Sequence, residues 1–231
     1  MVLGLMSFGA TGARAEASAK WLILNSAGQV KTGAELNPSI GLEKDGSVLV
    51  MHTEILKMKV LFLCTEVKAV NAKLLAEGSI GEKAGVVKKS SLLFSNCTVD
   101  LNGTPAPECT PIHGSDGKGF IVSEPIHGLL ILGAAKEELI KTTPDVGETY
   151  FDIKTPECPI GNLVAIFGTL NFKDCENLAL VHLFKHLIEA GPGTELFAVS
   201  KTLEHTVSLL GSVWSSLTGE HVGLRWSGDP A

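Results

Sequence analysis

The chain has 231 residues, 45% of them apolar and 19% charged, with a formal net charge of −6. This excludes a disordered polar chain, because there is ample material for a core. It also argues against nucleic acid, whose binders cluster Lys and Arg to neutralise phosphate. Arg14 and Arg225 are the only arginines and Tyr150 the only tyrosine, so the composition favours neither a bidentate anion grip nor an aromatic stacking platform.

In chain order, residues 1–17 read as a secretory signal peptide. A short apolar run from Val2 to Ala10 precedes small residues with Ala-x-Ala patterns at Ala13/Ala15 and Ala15/Ala17, the h-region and cleavage site of such a signal. No Lys or Arg precedes the run, so the signal lacks its charged start. The mature domain then covers 18–231, secreted or at the cell envelope. No later stretch reaches the roughly 18 uninterrupted apolar residues of a membrane helix.

From Trp21 onward the pattern is strands and turns. Residues 47–65 set Ile55, Lys57 and Lys59 against Leu56, Met58 and Val60, then continue into an apolar run. That predicts a half-buried strand followed by a fully buried one. Further short apolar runs follow, bounded by Gly, Pro, Asn or Asp, with turn dipeptides at Asp45-Gly46, Asn102-Gly103 and Asp116-Gly117. The expectation is an all-β, mainly antiparallel sandwich or barrel. Residues 134–142 are a short helical alternative. Residues 176–193 have good helix formers and a Gly191-Pro192-Gly193 stop, leaving room for one short helix around 178–190, although their all-round apolar pattern leans toward strand. Echoes between the halves, Phe-x-x-Cys at 94–97 and 172–175 and Pro-Glu-Cys at 107–109 and 156–158, suggest a diverged duplication divided near 143–155.

Five cysteines, Cys64, Cys97, Cys109, Cys158 and Cys175, default to disulfides in an exported protein. None is spaced Cys-x-x-Cys, which removes zinc ribbons and thioredoxin-like sites. Proximity in the chain favours Cys97–Cys109 and Cys158–Cys175, with Cys64 odd and buried in its apolar run. His182 and His186 are spaced i, i+4, so a helix would place both rings on one face as a metal site needs. Leu183 stands where the metalloprotease pattern requires Glu, and Glu189 is only a loose third ligand; surface or interface histidines are the simpler reading. Gly-x-Ser-x-Gly, Walker and Gly-x-Gly-x-x-Gly patterns are all missing, and Glu137/Glu138 read as a solvated face. No cofactor is implied.

Cys64-Thr65, Phe94 to Thr98, Cys109-Thr110, Ile121 to Ile126 and the closing residues 217–228 together resemble a family of secreted, uncharacterised β-rich proteins of high-GC Gram-positive bacteria. The resemblance spans most of the mature chain and implies secretion, β architecture and disulfides, with no activity to carry over. It also implies that Cys64 accompanies the next two cysteines, so Cys64–Cys97 or Cys64–Cys109 stays open.

The functional expectation is a secreted or cell-envelope disulfide-stapled β-domain with a structural or binding role. One version self-associates through exposed strands such as residues 205–217. A hydrolase, metal-dependent or otherwise, using His182 and His186 and an extracellular carrier of an apolar ligand are the alternatives.

Overall fold

The computed structural model describes residues 19–31, 39–44, 48–76, 85–114, 117–176, 181–200 and 203–230. The expected signal peptide at 1–17 and the Asp45-Gly46 turn lie outside the described residues. Within them the chain is all-β, with two single-turn 3₁₀ segments and no α-helix.

β1 (Lys20–Leu24) ends in a turn where the Asn25 side chain accepts hydrogen bonds from the backbone N–H groups of Ala27 and Gln29. β2 (Ile40–Lys44) follows. β3 (Leu49–Ile55) and β4 (Met58–Cys64) form a hairpin through Leu56 and Lys57, both left-handed at φ 52° and 66°. The apolar run in β4 is not buried on both faces, contrary to expectation. Val60, Phe62 and Cys64 face the core, whereas Leu61 and Leu63 are only half-buried.

Next come β5 (Glu66–Val70), β6 (Lys73–Leu74) and the ten-residue β7 (Val86–Ser95). β8 (Thr98–Leu101) and β9 (Thr104–Pro105) are joined by Asn102-Gly103 at φ 53° and 82°, the pair of left-handed residues that a two-residue hairpin demands. A 3₁₀ turn at Pro107–Cys109 leads to β10 (Ile112–His113), β11 (Gly117–Lys118) and β12 (Ile121–Val122).

β13 (Ile126–Leu132) and β14 (Glu138–Pro144) form the next hairpin, so residues 134–142 are a turn and a strand rather than a helix. β15 (Thr149–Lys154) and the twelve-residue β16 (Leu163–Asp174) follow, then β17 (Lys185–Ala190), β18 (Glu195–Ser200), β19 (Leu203–Leu210), β20 (Ser212–Leu217) and β21 (Arg225–Asp229). The helix allowed around 178–190 is absent from the described part of that segment, where β17 lies between β16 and β20. Both ladders use the β17 backbone, and such pairing overrides a weak helical propensity.

The strands build one antiparallel sheet curled into a half-barrel, and β1 with β21 forms a separate two-stranded ribbon. Two long strands serve both ends of the sheet. β7 pairs with β6 and β13 through its first half and with β5 and β12 through its second. β16 pairs with β15 and β18 over 163–169 and with β14 and β17 over 170–174. β14 and β15 thus both pair with β16. The rims of the curl touch where Ser39 bridges Lys73 and the Ile40 N–H donates to the Ala72 carbonyl.

β16 changes partners at Gly168, whose φ is 114°, a value open to glycine alone at little cost. A Cβ there would strike the Glu195 carbonyl oxygen on β18. Gly168→Ala should therefore destabilise the protein by about 2 kcal/mol or more, measured as a lower midpoint in denaturant unfolding.

The interior divides into two apolar clusters. The larger holds Phe62, Phe94, Tyr150, Phe151, Ile153 and Ile166 together with four cysteines. The smaller holds Trp21, Ile23, Leu74, Leu130, Leu217 and Trp226, where the β1–β21 ribbon packs on the sheet.

Candidate functional site

The disulfides differ from the pairing that proximity in the chain favours, and the first is one of the two that the resemblance left open. Cys64 bonds Cys97 and Cys109 bonds Cys158, while Cys175 is the free thiol. The reason is register. β4 pairs with β8 so that Leu63 faces Thr98, which puts Cys64 opposite Cys97. β10 pairs with β15 through Ile112 and Lys154, which brings the turn bearing Cys109 beside the one bearing Cys158. The second bond thus joins the two Pro-Glu-Cys turns. All four bonded cysteines lie in the larger core cluster. Cys175 is half-buried; burial, then the charge and hydrogen bond of Glu189, push its thiol up to about 11, far from the low values that make a cysteine nucleophilic.

The most concentrated chemistry lies under the ribbon. β14, β16 and β17 each turn one ionisable side chain inward, Glu138, Asp174 and His186, with exposures of 3%, 6% and 1%. His186 Nδ1 lies 2.6 Å from Asp174 Oδ2, and Nε2 lies 2.9 Å from the Trp226 carbonyl oxygen on β21. A carbonyl only accepts, and so does a carboxylate, so satisfying both contacts takes an imidazolium that donates from each nitrogen. Burial opposes that charge, but the hydrogen bond and charge of Asp174, the Trp226 carbonyl and Glu138 outweigh it, and the His186 pKa is raised. The indole of Trp226 covers the imidazole with ring centroids 4.2 Å apart.

Glu138 Oε2 accepts from the Gly228 N–H at 3.2 Å. Burial and then the Asp174 charge lift its carboxyl to about 7, against smaller lowering effects from His186 and the Gly228 N–H. Gly228 is required here, because a Cβ would collide with the Glu138 carboxyl group. Sequence reasoning missed this cluster. Glu137 and Glu138, read as a solvated face, are both buried, and the only signal was their place at the start of an apolar strand.

The candidate metal pair, His182 and His186, does not come together as ligands. His186 has both ring nitrogens engaged with acceptors and offers no lone pair. His182 sits outside the strand, half-buried, its pKa lowered by burial and by the charges of His186 and Arg225. Glu189 alternates to the opposite face of β17 and pairs with Lys173 at 3.5 Å. Among the described residues no group of three or more His, Cys, Asp or Glu side chains is placed to hold a metal ion.

One surface arrangement has the order of a catalytic relay. His127 Nδ1 lies 2.9 Å from Asp145 Oδ1, and its Nε2 lies 3.1 Å from Thr143 Oγ1. Strand register accounts for it: His127 faces Thr143 across the β13–β14 ladder, and Asp145 follows where β14 ends. The histidine is about half exposed, and a nucleophile needs donors aimed at the developing oxyanion in a site that excludes water. An open hairpin surface does not supply the second condition.

Apolar spaces are also present. Inside the curl, Leu42, Leu74, Val87, Ile140, Phe172 and Ile188 help line a cavity of about 50 Å³. At the other end a groove of about 280 Å³ runs between the β3–β4 turn and residues 159–164. β20, in the stretch proposed for strand exchange, has both edges taken, by β17 and β2. Comparison of the chain with family models, with curated proteins and with solved structures gives no match.

Proposed function

We propose that the protein is an extracellular or cell-envelope β-domain, stapled by two disulfides, that acts through its shape and surface rather than by catalysis. The observation that carries this reading is the placement of Cys64–Cys97 and Cys109–Cys158 in the core of an all-β domain. Such bonds persist in oxidising compartments and are rare in the cytosol. The resemblance to the secreted Gram-positive family supports the same reading, since Cys64-Thr65 and Phe94 to Thr98, two of its motif segments, are the ones joined by the first bond. Self-association through β20 itself would have to use its side-chain faces, because both of its edges are occupied. The apolar-carrier alternative is disfavoured by size: the internal cavity of about 50 Å³ falls well below the roughly 300–1,000 Å³ of ordinary ligand pockets.

The test is a non-reducing peptide map of protein recovered from the culture medium of its host or a secreting host. The expected result is linked peptides for Cys64/Cys97 and Cys109/Cys158, with Cys175 alone alkylated without reduction. Protein retained in the cytoplasm with five alkylatable thiols would defeat the proposal.

A further inference from the structure

The β1–β21 ribbon covers the smaller core cluster, and its polar attachment to the sheet converges on one place. The Trp226 carbonyl accepts from His186 and the Gly228 N–H donates to Glu138. Further backbone links among the described residues include the reciprocal bonds between Trp226 and Leu183, at 2.9 and 3.3 Å, and the Trp21–Ala76 bridge. Beneath the ribbon lie Leu74, Val87 and Leu130, and Leu74 and Val87 also line the internal cavity. We propose that the ribbon is a proton-dependent closure over the apolar interior, held shut by the buried Glu138–Asp174–His186 cluster and loosened as pH rises through neutrality.

The groups facing the cluster are few. Glu138 comes from β14, Asp174 from β16 and His186 from β17; the ribbon contributes the Trp226 carbonyl, the Gly228 N–H and, farther out, Arg225; His182 approaches from the segment before β17. With Glu138 protonated, one imidazolium balances one carboxylate. Once Glu138 ionises, two carboxylates share a single buried cation. Once His186 loses its proton, either Asp174 or the Trp226 carbonyl faces a nitrogen lone pair.

Both steps act in one direction. A carboxyl held at about 7 instead of 4.5 gives stability that is fully present below the unfolded value and falls away by pH about 7. A histidine held above its usual 6.5 gives stability that is lost as pH climbs through its raised folded value. Swinging the ribbon away lets all three side chains reach water. The Lys20–Asp229 ion pair on the ribbon itself, 3.7 Å long and partly exposed, joins groups of the ribbon only and does not tie it to the sheet.

Hydrogen exchange followed by mass spectrometry on the full chain tests this, at pH about 5.5 and about 8 with rates corrected for intrinsic exchange. Opening of the peptide spanning 224–229 should increase by about tenfold between the two conditions, while β4 stays unchanged. Binding of an apolar fluorescent dye should rise in parallel. Glu138→Gln, which keeps an acceptor for Gly228 but cannot ionise, should remove most of the pH effect. Equal changes in β4 and the ribbon, or an unaltered pH response in the Gln variant, would overturn the proposal. If that variant does not fold, the wild-type comparison between β4 and the ribbon decides alone.

Discussion

Asp174→Ala should lower stability at pH about 7 by about 3–5 kcal/mol, because it strips a buried imidazolium of its counter-charge. At about 2–4 °C per kcal/mol for a chain of this size, the melting temperature should fall by about 10 °C. Asp174 Oδ2 is the acceptor for His186 Nδ1 at 2.6 Å, and both side chains are shielded from water, so water cannot replace the contact. Asp174→Asn, which retains an acceptor but not the charge, should cost less. Thermal unfolding of the two variants beside the parent checks the order, and a shift of less than about 1 °C for the Ala variant would show that the pair is not the buried ion pair described here.

Replacing Cys109 and Cys158 together by Ser should cost about 4 kcal/mol, the entropy of an open loop about as long as the 49-residue separation of the pair. Cys64–Cys97 closes 33 residues, so its loss should cost slightly less. The bonds differ in what they hold. The first ties two neighbouring strands at the end of a ladder that already exists. The second secures a turn with few ladder bonds of its own, since β10 meets β15 at a single residue pair. Loss of Cys109–Cys158 should therefore also expose residues 107–113 to limited proteolysis, whereas Cys175→Ser should leave both measurements unchanged.

Much of the fold can be read from the chain because strands and turns are local. Asn102-Gly103 needs two left-handed residues, and the sequence supplies the pair that tolerates them best. Short apolar runs between Gly, Pro and Asn leave little room for helices. Residues 134–142 have the composition of a short helix, but the β13–β14 hairpin and the β14–β16 ladder hold the second half extended; in 176–193 the strand leaning holds for β17, whose partner β20 is distant in the chain and leaves no local mark. The cysteine partners are hidden for the same reason. Cys97 is near Cys109 in the chain, but β8 lies against β4, so its nearest sulfur neighbour is Cys64. The Glu138–Asp174–His186 cluster draws on three strands and is closed by a fourth more than fifty residues from Glu138; none of its members has a distinctive neighbour in sequence. Composition suggested two adjacent glutamates on the surface, and the fold buries both.

The pairing of β1 with β21, Lys20 opposite Asp229 through Leu24 opposite Arg225, has a consequence for how the molecule is made. β1 cannot find its partner until residues 225–229 have been synthesised. Contacts of such long separation form late, because loop closure must be completed before they contribute. A chain interrupted anywhere before residue 225 leaves Trp21 and Ile23 without cover and His186 without its carbonyl acceptor. Only a chain that extends through β21 can bury β1, and one that stops earlier displays an apolar edge open to proteases.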